Sequence, residues 1–216
     1  MKLNMTKNKY PGRLITFCGL DGCGKTTMIR MLNTYLQQKG YNIFLTKQPT
    51  DFVRQSPLFR NFMDEVSHDG YDYRSLSLFA ASDRLQHTKY VIEPQLAQGN
   101  IVISDRYFYS CLANLQSRGY RKDQWIYEVV APIIEPDLAF FLDLDVEKAV
   151  ERVRERSNER DSYIDMPLQY ALREAYLKIA AENDGVVLSS DKNPQECFRQ
   201  VIREFVKRIL MERIDL

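Results

Sequence analysis

The sequence predicts an α/β fold: a five-stranded parallel sheet covered by helices on both faces, three layers in all. Three observations predict it. Short apolar runs alternate with longer amphipathic segments, a rhythm that implies right-handed crossovers between parallel strands. The nine glycines and eight prolines fall at the ends of these periodic segments, as punctuation does. A glycine-rich loop joins the first apolar run to the first amphipathic one. At roughly 150 residues per domain, the 216 residues fit one domain. Residues 13–216 are expected to form it, and the polar, basic stretch 1–12 is expected to be a flexible end.

The elements follow in order. Leu14-Ile15-Thr16-Phe17-Cys18 reads as a buried strand, and Thr26 to Lys39 as a helix stopped by Gly40, with Met28, Met31, Leu32 and Tyr35 at helical spacing. Tyr41 to Thr46 is a second strand and Asp51 to Val66 a weaker helical region. Leu76 to Ala97 is a long helix closed by Gly99, and Ile101 to Ser104 a third strand. Tyr107 to Gln116 and Asp123 to Ile134 are expected to be helical, before a fourth strand at Leu138 to Leu142. Val146 to Arg156 and Pro167 to Glu182 are further helices, Val186 to Leu188 a fifth strand, and Pro194 to Glu212 the last helix.

Composition removes several function classes. Lys and Arg total 30 against 29 Asp and Glu, so the formal charge is +1 and a whole-surface polyanion binder, such as a nucleic-acid protein, is not expected. No stretch approaches the ~18 uncharged apolar residues that span a bilayer. Cys18, Cys23, Cys111 and Cys197 lack C-x-x-C spacing, and the two histidines, His68 and His87, lie apart, so neither a zinc site nor a disulfide scaffold is expected. Free thiols in a reducing cytoplasm are the expectation.

In such sheets ligands sit beyond the carboxyl ends of the strands. After the first strand stands Gly19-Leu20-Asp21-Gly22-Cys23-Gly24-Lys25-Thr26, a full G-x-x-x-x-G-K-[ST] between strand and helix. That is the phosphate loop of P-loop NTPases. Glycines let backbone N–H groups curl around phosphate oxygens, and the helix presents its positive end to them. Lys25 is expected to reach the β- and γ-phosphates of a nucleoside triphosphate and Thr26 to hold Mg²⁺, with Thr27 completing the cofactor-binding set. Without N-K-x-D or D-x-x-G after later strands, a guanine switch is not indicated. Asp105 and Arg106 follow the third strand, where a carboxylate suits Mg²⁺ and a guanidinium fork suits a second phosphate. Phe79 and Arg84 lie on the long helix, a ring and a fork that suit a nucleobase.

Gly19 to Thr26, Phe79 to Arg84, Asp105-Arg106-Tyr107 and Ser110 together resemble the thymidylate kinases, which phosphorylate deoxythymidine monophosphate with ATP. The resemblance runs through the chain in order, including Lys47-Gln48-Pro49-Thr50-Asp51, where the family often has Arg-Glu-Pro, and Leu142-Asp143 at the end of the fourth strand. It implies Mg-ATP, a homodimer and a small, mobile, arginine-rich lid near residues 152–165. By the same resemblance Asp21 lies near the acceptor and Mg²⁺, Arg106 grips the acceptor phosphate, Arg84 contacts the thymine carbonyl, and Ser110 sits near the base. Lys47, Arg54, Phe79 and Asn114 complete the acceptor set. Cys18 departs from the family's usual Glu, and Asn114 from a common Tyr that discriminates against a ribose 2′-hydroxyl. Arg84 comes five positions after Phe79, where the family usually has a step of four.

Lys148, Arg152, Arg156 and Arg160 recur every four residues and would line one face of a continued helix. Because Gly22 follows Asp21, the resemblance assigns catalytic arginine to this lid, in Arg156 and Arg160. A nucleoside monophosphate is mostly dianionic at neutral pH, so it needs no general base, which fits a chain with two histidines. The competing readings are a kinase acting on a nucleoside hydroxyl or a related nucleotide with altered base choice, and a non-catalytic nucleotide switch.

Overall fold

The computed structural model describes residues 1–64, 70–156, 164–191 and 193–210. Five parallel strands form one sheet in the order β2-β3-β1-β4-β5: β1 (Arg13–Cys18), β2 (Ile43–Lys47), β3 (Ile101–Asp105), β4 (Leu138–Asp143) and β5 (Val186–Ser189). The central strands are mostly apolar and buried along nearly their whole length, because helices cover both faces. Phe17 and Phe140 stack at 5.0 Å between β1 and β4. The edge strands β2 and β5 are half exposed, with Leu45 and Val187 open to solvent.

Helices α1 (Lys25–Gln38) and α10 (Pro194–Phe205) pack together on one face. On the other lie α4 (Tyr73–His87), α6 (Phe108–Ser117) and α9 (Met166–Glu182). Short helices α2 (Asp51–Arg54), α3 (Pro57–Asp64), α5 (Glu93–Ala97) and α7 (Trp125–Val129), and α8 (Val146–Arg154), complete the chain. What positions the site is the register. Phe17 pairs with Asp105, and Asp105 with Lys47, so the carboxyl ends of β1, β3 and β2 finish in one row.

The expected long helix starts earlier, at Tyr73, where Asp72 accepts hydrogen bonds from the Arg74 and Ser75 N–H groups at 3.2 Å each. It continues through one wide turn, Thr88–Ile92, into α5. Pro94 lies just beyond and has no N–H to return to the preceding turn, which accounts for the widening. A similar wide turn, Val206–Leu210, extends α10, and residues 211 and 212 fall outside the described residues. Three expectations are corrected. The helical region from Asp51 splits at Ser56-Pro57, since the residue before proline disfavours α geometry. The helix expected from Asp123 to Ile134 is only the single α7, which ends before Pro132. The N-terminal stretch, expected to fray, lies against the body: Leu3 and Met5 are buried, Thr6 N–H donates to Ile133 at 2.9 Å, and Asn8 donates to Asp137 at 2.7 Å.

Candidate active site

The phosphate loop leaves β1 and enters α1 as its residue types require. Gly19 has φ +135°, and a Cβ there would stand 2.5 Å from the Leu142 carbonyl. Gly22 has φ +82°, and its missing Cβ would meet the Ala149 carbonyl of α8 at 2.0 Å. Both positions therefore demand glycine, and the second seats the root of α8 directly on the loop. Leu20 and Cys23 are buried beneath it, while Thr26 is exposed and Thr27 half-buried on the first turn of α1. Gly24 is the N-cap. The Lys25 ammonium, 6% exposed, donates to the Gly19 carbonyl at 3.1 Å and the Leu20 carbonyl at 2.6 Å, and lies 3.7 Å from Asp21.

Arg106 reaches the same place from β3. Its φ of +67° is unusual for a residue with a side chain, and such geometry clusters at functional sites. The turn is held by Arg106 N–H donating to the Phe17 carbonyl at 2.8 Å and by Ser104 Oγ donating to the Arg106 carbonyl at 2.6 Å. The guanidinium then crosses the end of β1, donating to the Gly19 carbonyl at 3.2 Å, to the Tyr176 hydroxyl at 3.0 Å and to Asp21 at 2.5 Å. Lys25 and Arg106 thus share one carbonyl and one carboxylate. The Arg106 charge, with help from Lys25 and Arg156, holds the Asp21 carboxyl far below the usual carboxylate range. Burial works against the Arg106 cation, but Asp21 foremost, then Tyr176 and Asp105, outweigh it and keep it charged.

Around this pair lie Asp105, Lys47 and Arg54. Asp105 Oδ1 is buried without a hydrogen-bond partner, and Oδ2 lies 3.8 Å from the Lys47 ammonium. Burial and the Arg54 charge depress the Lys47 ammonium; burial and the Arg106 charge depress Arg54, which donates to the Pro49 carbonyl at 2.8 Å. Beneath Arg106 runs a buried polar chain. Tyr176 of α9 donates to Ser110 at 3.0 Å, and Ser110 lies 4.0 Å from the Cys18 sulfur. Burial pushes the Cys18 thiol up to about 11 and the Tyr176 phenol up to about 12, so both stay protonated at neutral pH.

Arg84 is buried on α4. It donates to the Ala80 carbonyl at 2.8 Å, and its Nε has no partner. Ser77 and Cys111 meet nearby at 3.3 Å. The end of the sheet at Asp105 and Arg106 is therefore ringed by cations, and Arg84 lies apart from them, buried on α4.

The thymidylate kinase sequence profile matches residues 17–202. The chain belongs to the thymidylate kinase family. A probable thymidylate kinase of Pyrococcus horikoshii is 38% identical over 171 residues, 78% of this chain and 83% of the relative. One of Thermococcus gammatolerans is 32% identical over 208 residues, 94% and 100% of the two chains. The thymidylate kinase of Geobacillus sp. strain WCH70 is 32% identical over 207 residues, 92% and 98%.

In this thymidylate kinase family member the structure brings Asp21, Lys25, Lys47, Arg54, Asp105 and Arg106 to one rim, with Ser110 buried beneath it. It does not bring Phe79 to Arg84. The helix between them is regular α, the wide turn coming only at Thr88, so five steps of ~100° set them about 140° apart. The Phe79 ring lies instead against Phe52, at 5.8 Å. Asn114 spends its amide locally, donating to the Ser110 carbonyl at 2.9 Å and accepting from Arg118 at 2.9 Å. The arginine ladder is also broken: α8 ends at Arg154, where the last turn tightens with Arg156 N–H donating to Val153 at 3.1 Å, and Lys148 pairs with Asp191. Arg156 nonetheless acts on Asp21, whereas Arg160 lies outside the described residues. Sequence reasoning missed Tyr176. One tyrosine among thirteen, remote from every motif, carries no local signal.

Proposed function

We propose that the chain transfers the γ-phosphoryl group of ATP to deoxythymidine monophosphate, giving the diphosphate. One observation carries the reading: Lys25 at the phosphate loop and Arg106 at the end of β3 converge on the same Gly19 carbonyl and the same Asp21 carboxylate. A cation suited to the donor phosphates and one suited to a second phosphate therefore stand side by side, as in-line transfer between two anions requires. The buried, unpartnered Arg84 Nε supports a base carbonyl as the contact further along the acceptor.

The residues present fit a magnesium ion. Asp105 offers a buried oxygen with no partner and Thr26 an exposed hydroxyl. Among the described residues no three His, Cys, Asp or Glu side chains gather into a protein-only cage, in keeping with an ion that completes its shell with waters and substrate phosphates. Thr26 and Asp105 would hold it, and when bound it would neutralise charge on the transferred group.

The rest of the chemistry belongs to side chains. The phosphate loop positions the donor through its N–H groups and Lys25. Arg106, Lys47 and Arg54 bind the acceptor phosphate, and Asp21 keeps Arg106 oriented. Arg156 and Arg160 supply positive charge to the transferred group from the lid. Arginine effects of about 10³–10⁵ in rate correspond to roughly 4–7 kcal/mol of barrier. Among the described residues, Asp21 is made a very weak base by Arg106, and Cys18, where a carboxylate base could have stood, is held protonated. That suits an acceptor already ionised, and disfavours a hydroxyl acceptor.

Assembly as a homodimer and a cytoplasmic location belong to the same proposal. Leu78, exposed on α4, and Tyr90, exposed on the wide turn after it, support the first, and four free thiols the second. The deciding experiment is a panel of deoxynucleoside monophosphates and nucleosides with Mg-ATP, read as ADP release. Transfer to dTMP supports the proposal; transfer only to thymidine, or ATP binding with no transfer to any acceptor, defeats it.

A further inference from the structure

Lys47 and Arg54 share a short stretch of chain with a problem: their charges and that of Arg106 repel one another. Loop 47–50 carries the first and leads into α2, which carries the second. From the sheet it receives one tie, Gln48 N–H donating to the Asp105 carbonyl at 3.0 Å. The other ties come from α4. His87, buried, places Nε2 2.9 Å from Thr46 Oγ1 and Nδ1 3.0 Å from Gln48 Nε2. The neutral imidazole with its proton on Nε2 satisfies both contacts. One turn earlier Asp83, also buried, accepts from Thr50 N–H at 2.8 Å and from the Thr50 hydroxyl.

We propose that Asp83 and His87 are positioning residues for the acceptor phosphate: they clamp loop 47–50 at both ends, so that Lys47 and Arg54 stay opposite Arg106 before an anion enters. The inference rests on the acceptor reading above. Two features favour a clamp over an incidental polar core. Thr50 stands at the N-cap of α2, yet its hydroxyl goes to Asp83 rather than to its own helix. Gln48 is fully buried with Oε1 unpartnered, a cost accepted while its other amide group serves His87. Arg84 lies between the two clamp residues on α4, so one helix sets the base contact and the phosphate contact as a unit.

The test uses His87→Gln, Asp83→Asn and the milder Thr46→Val in the full chain. Amide exchange is followed by mass spectrometry, KM for dTMP and ATP are measured separately, and thermal shifts are recorded with inorganic phosphate. The clamp predicts faster exchange confined to residues 46–52, with the phosphate loop unchanged. It also predicts a rise of about tenfold in KM for dTMP, with KM for ATP and kcat within about threefold. Unchanged exchange in all three variants overturns the clamp. Faster exchange with KM for dTMP unchanged overturns the positioning role, as does a fall in kcat alone through loss of folded protein. Should His87→Gln fail to fold, Thr46→Val carries the same expectations. If wild-type protein fails to use dTMP, the function proposal falls. The clamp is then decided by exchange and by whether the phosphate-induced thermal shift shrinks in the variants.

Discussion

The two halves of the site are built in opposite ways. The donor half is one contiguous loop, Gly19 to Thr26, whose N–H groups, glycines and lysine come from eight consecutive residues. The acceptor half is assembled from β2, β3, α2, α4, α6 and α9, joined by buried polar contacts among Tyr176, Ser110, Asp83, His87 and Gln48. A loop rich in backbone donors tolerates little change but depends on few neighbours. A distributed site can be tuned residue by residue, and each tie is a place where it can fail. The donor half should therefore respond to substitution as all or none, and the acceptor half by degrees.

The largest effect is expected at Lys25. Lys25→Ala should abolish transfer from ATP while leaving the circular dichroism spectrum native, because its ammonium bonds loop carbonyls at the rim and not the hydrophobic core. Retained turnover would erase the distinction between the halves. Next come Arg156→Ala and Arg160→Ala, which should lower kcat by as much as about 10³ while leaving both KM values nearly unchanged. Wild-type rates in both variants would remove the lid from the chemistry.

This contrast also governs what could be read in advance. The donor loop was legible because its chemistry is local: residue types, spacing and the flanking strand and helix all lie within one short stretch. The sheet was legible for a similar reason, since central strands covered on both faces are continuous apolar runs. Asp105 and Arg106 followed from their place after β3, although the φ of Arg106 that aims its guanidinium at Asp21 leaves no mark in composition. Phe79 misled because a motif fixes order and not the angle around a helix. Tyr176, Asp83 and His87 were out of reach because their partners are distant in the chain: Tyr176 meets Arg106 across 70 residues and His87 meets Gln48 across 39. The buried N-terminal stretch was missed for the same reason, its apolar Leu3 and Met5 being too few to signal a packed segment.

Tyr176→Phe sharpens the comparison at intermediate size. The hydroxyl accepts from Arg106 and donates to Ser110, so its removal leaves a buried serine with one partner fewer and the guanidinium less firmly held. A stability loss of about 1–3 kcal/mol is expected in urea unfolding. KM for dTMP should rise several-fold while KM for ATP stays put, because Lys25 does not touch Tyr176. A matching rise in both would mean that the halves are mechanically one.

The smallest effect is a pH dependence confined to the acceptor half. Burial depresses the His87 pKa from its ordinary 6.5, with Arg84 adding to the depression and Asp83 opposing it. The charged groups that act on it are these two; Thr46 and Gln48 face it uncharged. In the unfolded chain the imidazole takes up a proton as pH falls through 6.5, while in the folded chain it resists until lower pH. The unfolded state therefore binds more protons in that window, and stability must decline as the medium is acidified below pH 6.5. A proton on Nδ1 would also face the Gln48 amide N–H₂ head-on, donor against donor, and loosen the loop that carries Lys47. Urea unfolding of wild type and His87→Gln at pH 7.5 and pH 5.5 isolates this contribution, since Asp21, held ionised by Arg106, protonates only in far stronger acid. The wild type should lose more stability between the two pH values than the variant. Equal losses would show that His87 titrates no differently in the folded chain, and that the acceptor half carries no proton-sensitive tie that the donor loop lacks.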